Sequence, residues 1–229
     1  MTMMLVLSLL MNFVSYWFSD RIILSMYGAR EVTPQDAADL IRTVSGLVQK
    51  AKLPMPKVYV IDTDVPNAFA TGRNPSHAAI AVTTSLMSVL TYEELEGVIA
   101  HELAHIKNHD TLMSTVVASV AGILTVIANI TQWTTFLGIA QGENEEQNGI
   151  SSLVEFIFLA FLAPLAATLI QLGISRSREF LADETGSMIS GNPLALASAL
   201  EKIDHYTQNK VMLEATPATS HLFIINPLN

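Results

Sequence analysis

The sequence predicts an α+β, mainly helical integral membrane protein, with about three transmembrane helices and a small β-sheet on one side of the bilayer. Three observations carry this. Half of the 229 residues are hydrophobic and only 14% are charged, with a mean hydropathy of +0.40, which is unusual for a water-soluble domain. Residues 1–19 and 111–142 contain no charge and residues 147–175 contain only Glu155, so each stretch can supply the ~20 residues that cross a bilayer as helix. Two short runs of branched residues, separated by turn residues, read as strands of a small sheet.

Taken in order, residues 3–18 form the first span. They lack a positively charged lead and a small-residue cleavage site, so residues 1–20 read as an anchor and not as a removable signal. Residues 21–110 follow as a polar part. Thr33, Pro34 and Asp36 start a helix whose apolar face is Ala37, Leu40, Ile41, Val44, Leu47 and Val48, and Pro54 stops it. Strands are expected at Lys57–Asp62 and Ala78–Thr83, with Asn67–Gly72 between them. Thr91 and Glu94 form a capping box that opens a helix running past His105. Residues 111–175 read as a transmembrane hairpin, its spans at 112–140 and 153–174, with Pro164 kinking the second. Residues 176–229 form a second polar part, helical from 175 to about 190 and again from Asn192 and Pro193 to about 206.

All twelve Lys and Arg residues lie at 21–107 or beyond 175, whereas the connection 141–152 carries Glu143, Glu145 and Glu146 and no positive charge. By the positive-inside rule both polar parts face the cytoplasm. Cysteine is absent, which excludes disulfides, thiolate metal sites and a cysteine nucleophile. A net charge of −9 without clustered Lys and Arg argues against a nucleic-acid partner.

Residues 101–105 read His-Glu-Leu-Ala-His. On a helix this spacing puts two imidazoles one turn apart on one face, able to share a metal ion, and zinc is the natural occupant of a nitrogen–oxygen set. Glu102 is then placed to act as general base toward a water acidified to a pKa near ~7. The pattern alone recurs by chance, so its context matters: a capped helix, sheet signals before it, and the pair Glu179 and Asp183 one turn apart on the same side of the membrane. Glu179 is assigned as third ligand and Asp183 as acceptor for the far N–H of a ligand histidine, against the blander reading of a solvated acidic face.

His109 completes a stripe with His101 and His105, but on a straight helix it stands about 12 Å from His101, and no glycine between 105 and 109 offers a turn back. A polar, interfacial role is expected for it. His77 and His205 read as surface residues. Asn67, Ala68, Phe69 and Ala70 are either a plain strand or a strand whose exposed edge pairs with an extended peptide.

HELAH at 101–105 with the following Ile106-Lys107-Asn108-His109-Asp110, NAFATG at 67–72 and SRSREFLAD at 175–183 together resemble the HtpX family of membrane metalloproteases over nearly the whole chain. That family is similar in fold to gluzincin proteases and more distantly to the CAAX prenyl proteases. The resemblance implies a zinc endopeptidase of a prokaryotic inner membrane with its active site facing the cytoplasm, acting on polypeptides, misfolded or damaged membrane proteins among them. It implies one zinc ion held by His101, His105 and Glu179, Glu102 as base, and Asn67 to Phe69 as substrate-binding edge. Family members usually have a further span before residue 3 and continue beyond Ser220–Leu228, so both termini are expected to be truncated. His221 is a candidate to stabilise the oxyanion of the tetrahedral intermediate. Two rival readings are an intramembrane-cleaving protease, which the polar residues Lys107 to Asp110 directly after the motif argue against, and an inactive scaffold or chaperone-like binder, which the intact His-Glu-His set argues against.

Overall fold

A computed structural model of the chain describes residues 10, 13, 17, 18, 20–114 and 163–207, with side chains described from 175 to 206 in the last stretch. The backbone divides into two units, one of Met1–Ser15 with Met113–Ser177 and the other of Tyr16–Leu112 with Arg178–Asn229. The elements discussed below belong to the second unit.

After a helical stretch at 20–26 come strand β1 (Arg30–Glu31) and helix α1 (Ala38–Ala51), then β2 (Lys57–Ile61), β3 (Ala68–Gly72) and β4 (Ala78–Thr83). Helices α2 (Thr84–Val89) and α3 (Tyr92–Lys107) follow, and further on α4 (Ala163–Ser190), whose residues from 178 onward lie in this unit, and α5 (Pro193–Thr207). The strands form one mixed sheet in the order β1-β2-β4-β3, parallel between β2 and β4 and antiparallel in the other two pairs. β3 therefore lies at an edge, with Ala70 opposite Ile80 in register.

Helix α1 presents Leu40, Val44, Leu47, Val48 and Ala51 to the core at helical spacing. It starts at Ala38 and not at Thr33 as the sequence suggested. The Asp36 carboxylate accepts from the N–H and hydroxyl of Thr33 at 2.9 and 2.7 Å, so the two residues close a turn ahead of the helix instead of capping it. Lys52, left-handed at φ 58°, ends it. α3 starts as expected: the Thr91 hydroxyl accepts from the Glu94 N–H at 3.3 Å and the Glu94 carboxylate accepts from the Thr91 N–H at 2.8 Å. The other Glu94 bonds reach α5, accepting from the Ser198 hydroxyl at 2.6 Å and the Lys202 ammonium at 2.7 Å.

α3 lies at the centre, packed against α1, β3 and α5. Val98, Ile99, Leu103 and Ala104 on α3 meet Val44 and Leu47 of α1, Ile80 and Val82 of β4, Leu86 of α2 and Ile203 of α5, all fully buried. A second cluster of Leu24, Ile61, Phe69, Ala79 and Ala81 also draws on the sheet. Burying apolar side chains at about 25 cal/mol per Å² holds α3 rigidly in place, so side chains projecting from it have fixed directions.

The predicted spans at 3–18, 112–140 and 153–174 lie almost wholly outside the described residues, as do the acidic connection 141–152 and His221. Among the described residues, no helix is long and apolar enough to cross a membrane.

Candidate active site

His101 and His105 project from one face of α3, one turn apart, with their rings perpendicular and centroids 4.7 Å apart. Their Nε2 atoms converge to 3.1 Å. Glu179 arrives from α4, its Oε2 3.6 Å from His101 Nε2 and 3.7 Å from His105 Nε2. One ligand atom from each of the three residues lies within 4.8 Å of the others, a spacing that can hold a metal ion.

The close approach of α4 to α3 has a local cause. A Cβ built on Gly186 would lie 2.9 Å from His101 Cα and 3.0 Å from His101 N. Only glycine lets the two backbones come this near, and Glu179 and Asp183 on the same helix reach the cluster as a result.

Each imidazole has its own carboxylate on the ring nitrogen that faces away from the cluster. Asp183 Oδ1 lies 3.0 Å from His101 Nδ1, at ion-pair distance though off the axis of a linear hydrogen bond. Asp110 Oδ2 lies 2.6 Å from His105 Nδ1. Such partners set the tautomer and aim the Nε2 lone pair into the cluster. Asp183 stands where the sequence reading put it. Asp110 was not anticipated, because on a continuing helix it would not share a face with His105.

Glu102 is 5% exposed and its Oε2 accepts from the Ala70 N–H of β3 at 2.7 Å. Burial pushes its carboxyl up, against the opposing pull of His105, His101 and the Ala70 N–H. Burial works against a charge on His101 too, but Asp183, Glu179 and Glu102 outweigh it and raise that imidazole to about 10. His105 is raised as well: burial lowers it, and Asp110 and Glu102 more than compensate. Glu179, hydrogen-bonded to His101, is lowered although burial opposes this. The field at the cluster thus favours positive charge. Two imidazole nitrogens and a carboxylate oxygen facing one point in that field fit a small divalent cation.

β3 lies at an edge of the sheet, the position that pairing with an extended peptide needs, while the side chains of Asn67, Ala68 and Phe69 are buried, at 4%, 1% and 4% exposed. Phe69 packs on Tyr27, with ring centroids 5.8 Å apart, and Ala68 belongs to the main core. Ala70, next to Glu102, is the partly exposed residue of the strand. His109 is not on an extended helical stripe, since α3 ends at Lys107 and His109 adopts φ 58°. His77 and His205 are exposed, as expected.

A helix-borne pair of imidazoles, a buried glutamate next to the first in sequence and a further glutamate from a second helix form, on an α+β scaffold, a group that could hold a metal ion as a metallopeptidase centre does. Comparison with known proteins agrees and narrows the class. Residues 34–221 match peptidase family M48, and the chain belongs to that family. It is 49% identical over 229 residues to a Protease HtpX homolog of Aquifex aeolicus, spanning 100% of this chain and 76% of that one. A Protease HtpX homolog of Pyrococcus furiosus is 52% identical over 221 residues, spanning 96% and 75%. The fold resembles that of S. mikatae Ste24p with a TM-score of 0.63 at 19% identity, over 96% of this chain and 53% of that one. The chain is therefore a protease, and family membership implies a metal cofactor.

Proposed function

We propose that the chain is a membrane-bound zinc metalloendopeptidase in which His101, His105 and Glu179 hold one zinc ion and Glu102 is the catalytic base. The observation that carries the reading is the convergence of these three ligand atoms within 4.8 Å beside a buried carboxylate. When bound, zinc supplies the Lewis acidity that polarises a peptide carbonyl and acidifies water.

Everything else falls to the chain's own residues. Asp183 and Asp110 hold the two imidazoles with Nε2 inward. Glu102 takes the proton of the attacking water and passes it to the leaving amine. A buried carboxyl raised above its ordinary range suits both halves of that transfer better than a solvated one. The Ala70 N–H fixes Glu102 Oε2 and leaves the other oxygen for the proton. An extended substrate would lie along the edge of β3, entering at Ala70, with Asn67 to Phe69 continuing the strand.

The close likeness to HtpX proteases and the long uncharged stretches support an inner-membrane location with the centre toward the cytoplasm, and misfolded or damaged membrane proteins as substrates. In the same reading His221 stabilises the oxyanion.

The test is zinc content and cleavage of casein and of a membrane-protein substrate by wild type, Glu102→Gln and Glu179→Ala. Glu102→Gln is expected to keep zinc without cleaving, and Glu179→Ala to lose both. A wild type that binds no zinc, or equal cleavage by all three, would overturn the assignment.

A further inference from the structure

The residues that end α3 do more than stop a helix. Asp110 follows His105 by five positions; on an unbroken helix that offset places it about 140° around the axis and about 7.5 Å along it, out of reach of the ring. Yet Asp110 Oδ2 stands 2.6 Å from His105 Nδ1. The chain achieves this by leaving the helix at once. The Asn108 N–H still bonds the Ala104 carbonyl at 2.8 Å, the His109 N–H bonds the Ile106 carbonyl at 3.2 Å, and His109 takes the left-handed conformation at φ 58°. Helical residues resume at 110, with the Asp110 side chain turned back beneath His105 and almost buried.

A left-handed residue at this place is usually glycine, because a Cβ is disfavoured there; histidine is among the side chains that tolerate it, and a β-branched one is not. A second contact pins the turn. Arg178 Nη1 donates to the Asp110 carbonyl at 3.0 Å. Arg178 directly precedes Glu179, so the residue that clamps the turn is the chain neighbour of the carboxylate that faces the two imidazoles.

We propose that the left-handed turn at His109, pinned by Arg178, is a positioning device that seats Asp110 on His105 and thereby fixes the direction of one ligand imidazole. It rests on the zinc site proposed above and adds two residues, His109 and Arg178, that act through Asp110 and not as ligands. The device also separates the roles of the two histidine-orienting carboxylates. Asp183 comes with the second helix, whereas Asp110 belongs to the end of the histidine helix itself and owes its place to one backbone conformation.

The experiment measures zinc affinity of the full-length chain by chelator competition for wild type, His109→Gly, His109→Val, Asp110→Asn and the double variant His109→Val with Asp110→Asn. His109→Ala is left out because it strains the turn only partly. His109→Gly keeps the turn and is expected to keep the affinity. His109→Val and Asp110→Asn are each expected to weaken zinc by about 10- to 100-fold, the usual effect of losing a partner of a ligand histidine. The double variant should be no weaker than either single one, because both act through the same contact.

Cobalt substitution gives a second readout. The visible spectrum of the cobalt-loaded chain should shift in His109→Val and return to the wild-type form in His109→Gly, which a merely destabilising substitution would not do. Equal affinities for the Gly and Val variants, or additive losses in the double variant, overturn the proposal. Wild type that takes up no zinc at all, or that keeps it in His105→Ala, refutes the underlying site, and that outcome is distinct from a site that binds metal but ignores residue 109.

Discussion

Replacing Gly186 by alanine should cost metal affinity out of proportion to its cost in stability. The new methyl carbon would lie 2.9 Å from His101 Cα, 3.0 Å from His101 N and 3.3 Å from Ala100 C, where ordinary contact begins at 3.4 Å. All three atoms are backbone of the histidine helix, so no side chain can swing aside and α4 must retreat by about 0.5 Å. Overpacking of this kind costs about 1–3 kcal/mol, and the better helix propensity of alanine returns up to about 1 kcal/mol, leaving a net loss of about 0–3 kcal/mol. The carboxylates of Glu179 and Asp183 ride on the displaced helix. Functional constellations tolerate about 0.5 Å, so zinc affinity should drop at least about tenfold. Gly46→Ala is the matched control: it is also within a helix, its Cβ would meet nothing within 4 Å, and it should raise stability by about 0.5–1 kcal/mol with zinc unchanged. Thermal unfolding and chelator competition on the purified variants check both. Gly186→Ala with wild-type zinc affinity would refute the argument that this contact sets the position of Glu179.

Three further outcomes follow from the same structure. Burial pushes the Glu94 carboxyl up, but bonds from Lys202, Ser198 and the Thr91 N–H outweigh it and hold it down to about 2. A depressed carboxyl stabilises fully above its unfolded value and loses that contribution as pH falls toward 2. Glu94→Gln should therefore destabilise by about 1–2 kcal/mol at pH 7, after discounting for the 43% exposed Lys202 side chain, and the gap to wild type should close on acidification between about pH 4.5 and 2. A gap independent of pH in urea titrations would contradict this. His101, raised to about 10, carries a proton in the metal-free chain at pH 7, so zinc uptake should release protons and strengthen as pH rises; calorimetry in buffers of different ionisation enthalpy measures this, and zero release would be the contrary result. Asp183→Asn should keep the fold and weaken zinc by about 10- to 100-fold by chelator competition, and an unaltered affinity would remove its orienting role.

The parts of this chain that could be read without coordinates are those governed by local rules. The capping box at Thr91 and Glu94 fixes where α3 begins, the branched runs at 57–61 and 78–83 are strands, and His101 and His105 meet because helical spacing obliges them to. That Asp183 would face a ligand histidine could be read from its one-turn spacing to Glu179 on a second helix, but not which histidine; it lies beside His101. What escaped was the chemistry of chain reversals. Asp36 looked like a helix-starting carboxylate but spends its bonds on Thr33 in a turn. The absence of glycine after His105 suggested a helix that runs on, whereas His109 supplies the left-handed residue itself and brings Asp110 to the site. For Asn67–Ala70 spacing left a plain strand and a peptide-pairing edge equally open, and it did not show that Phe69 is taken up by a second cluster that only the fold brings together. Sequence spacing reports which residues share a face and says little about where the backbone turns left-handed or which strand face is covered.

The bonding of α3 has a consequence for synthesis. Its first turn is bonded to Ser198 and Lys202, its middle to Asp183 and Glu179, and the turn after its end to Arg178. All of these partners leave the ribosome after the helix does. A growing chain that has reached residue 177 already carries both histidines and Glu102 but no carboxylate to face them from the second helix. The order of residues along the polypeptide thus leaves the histidine helix without its facing carboxylates until the second helix has been made.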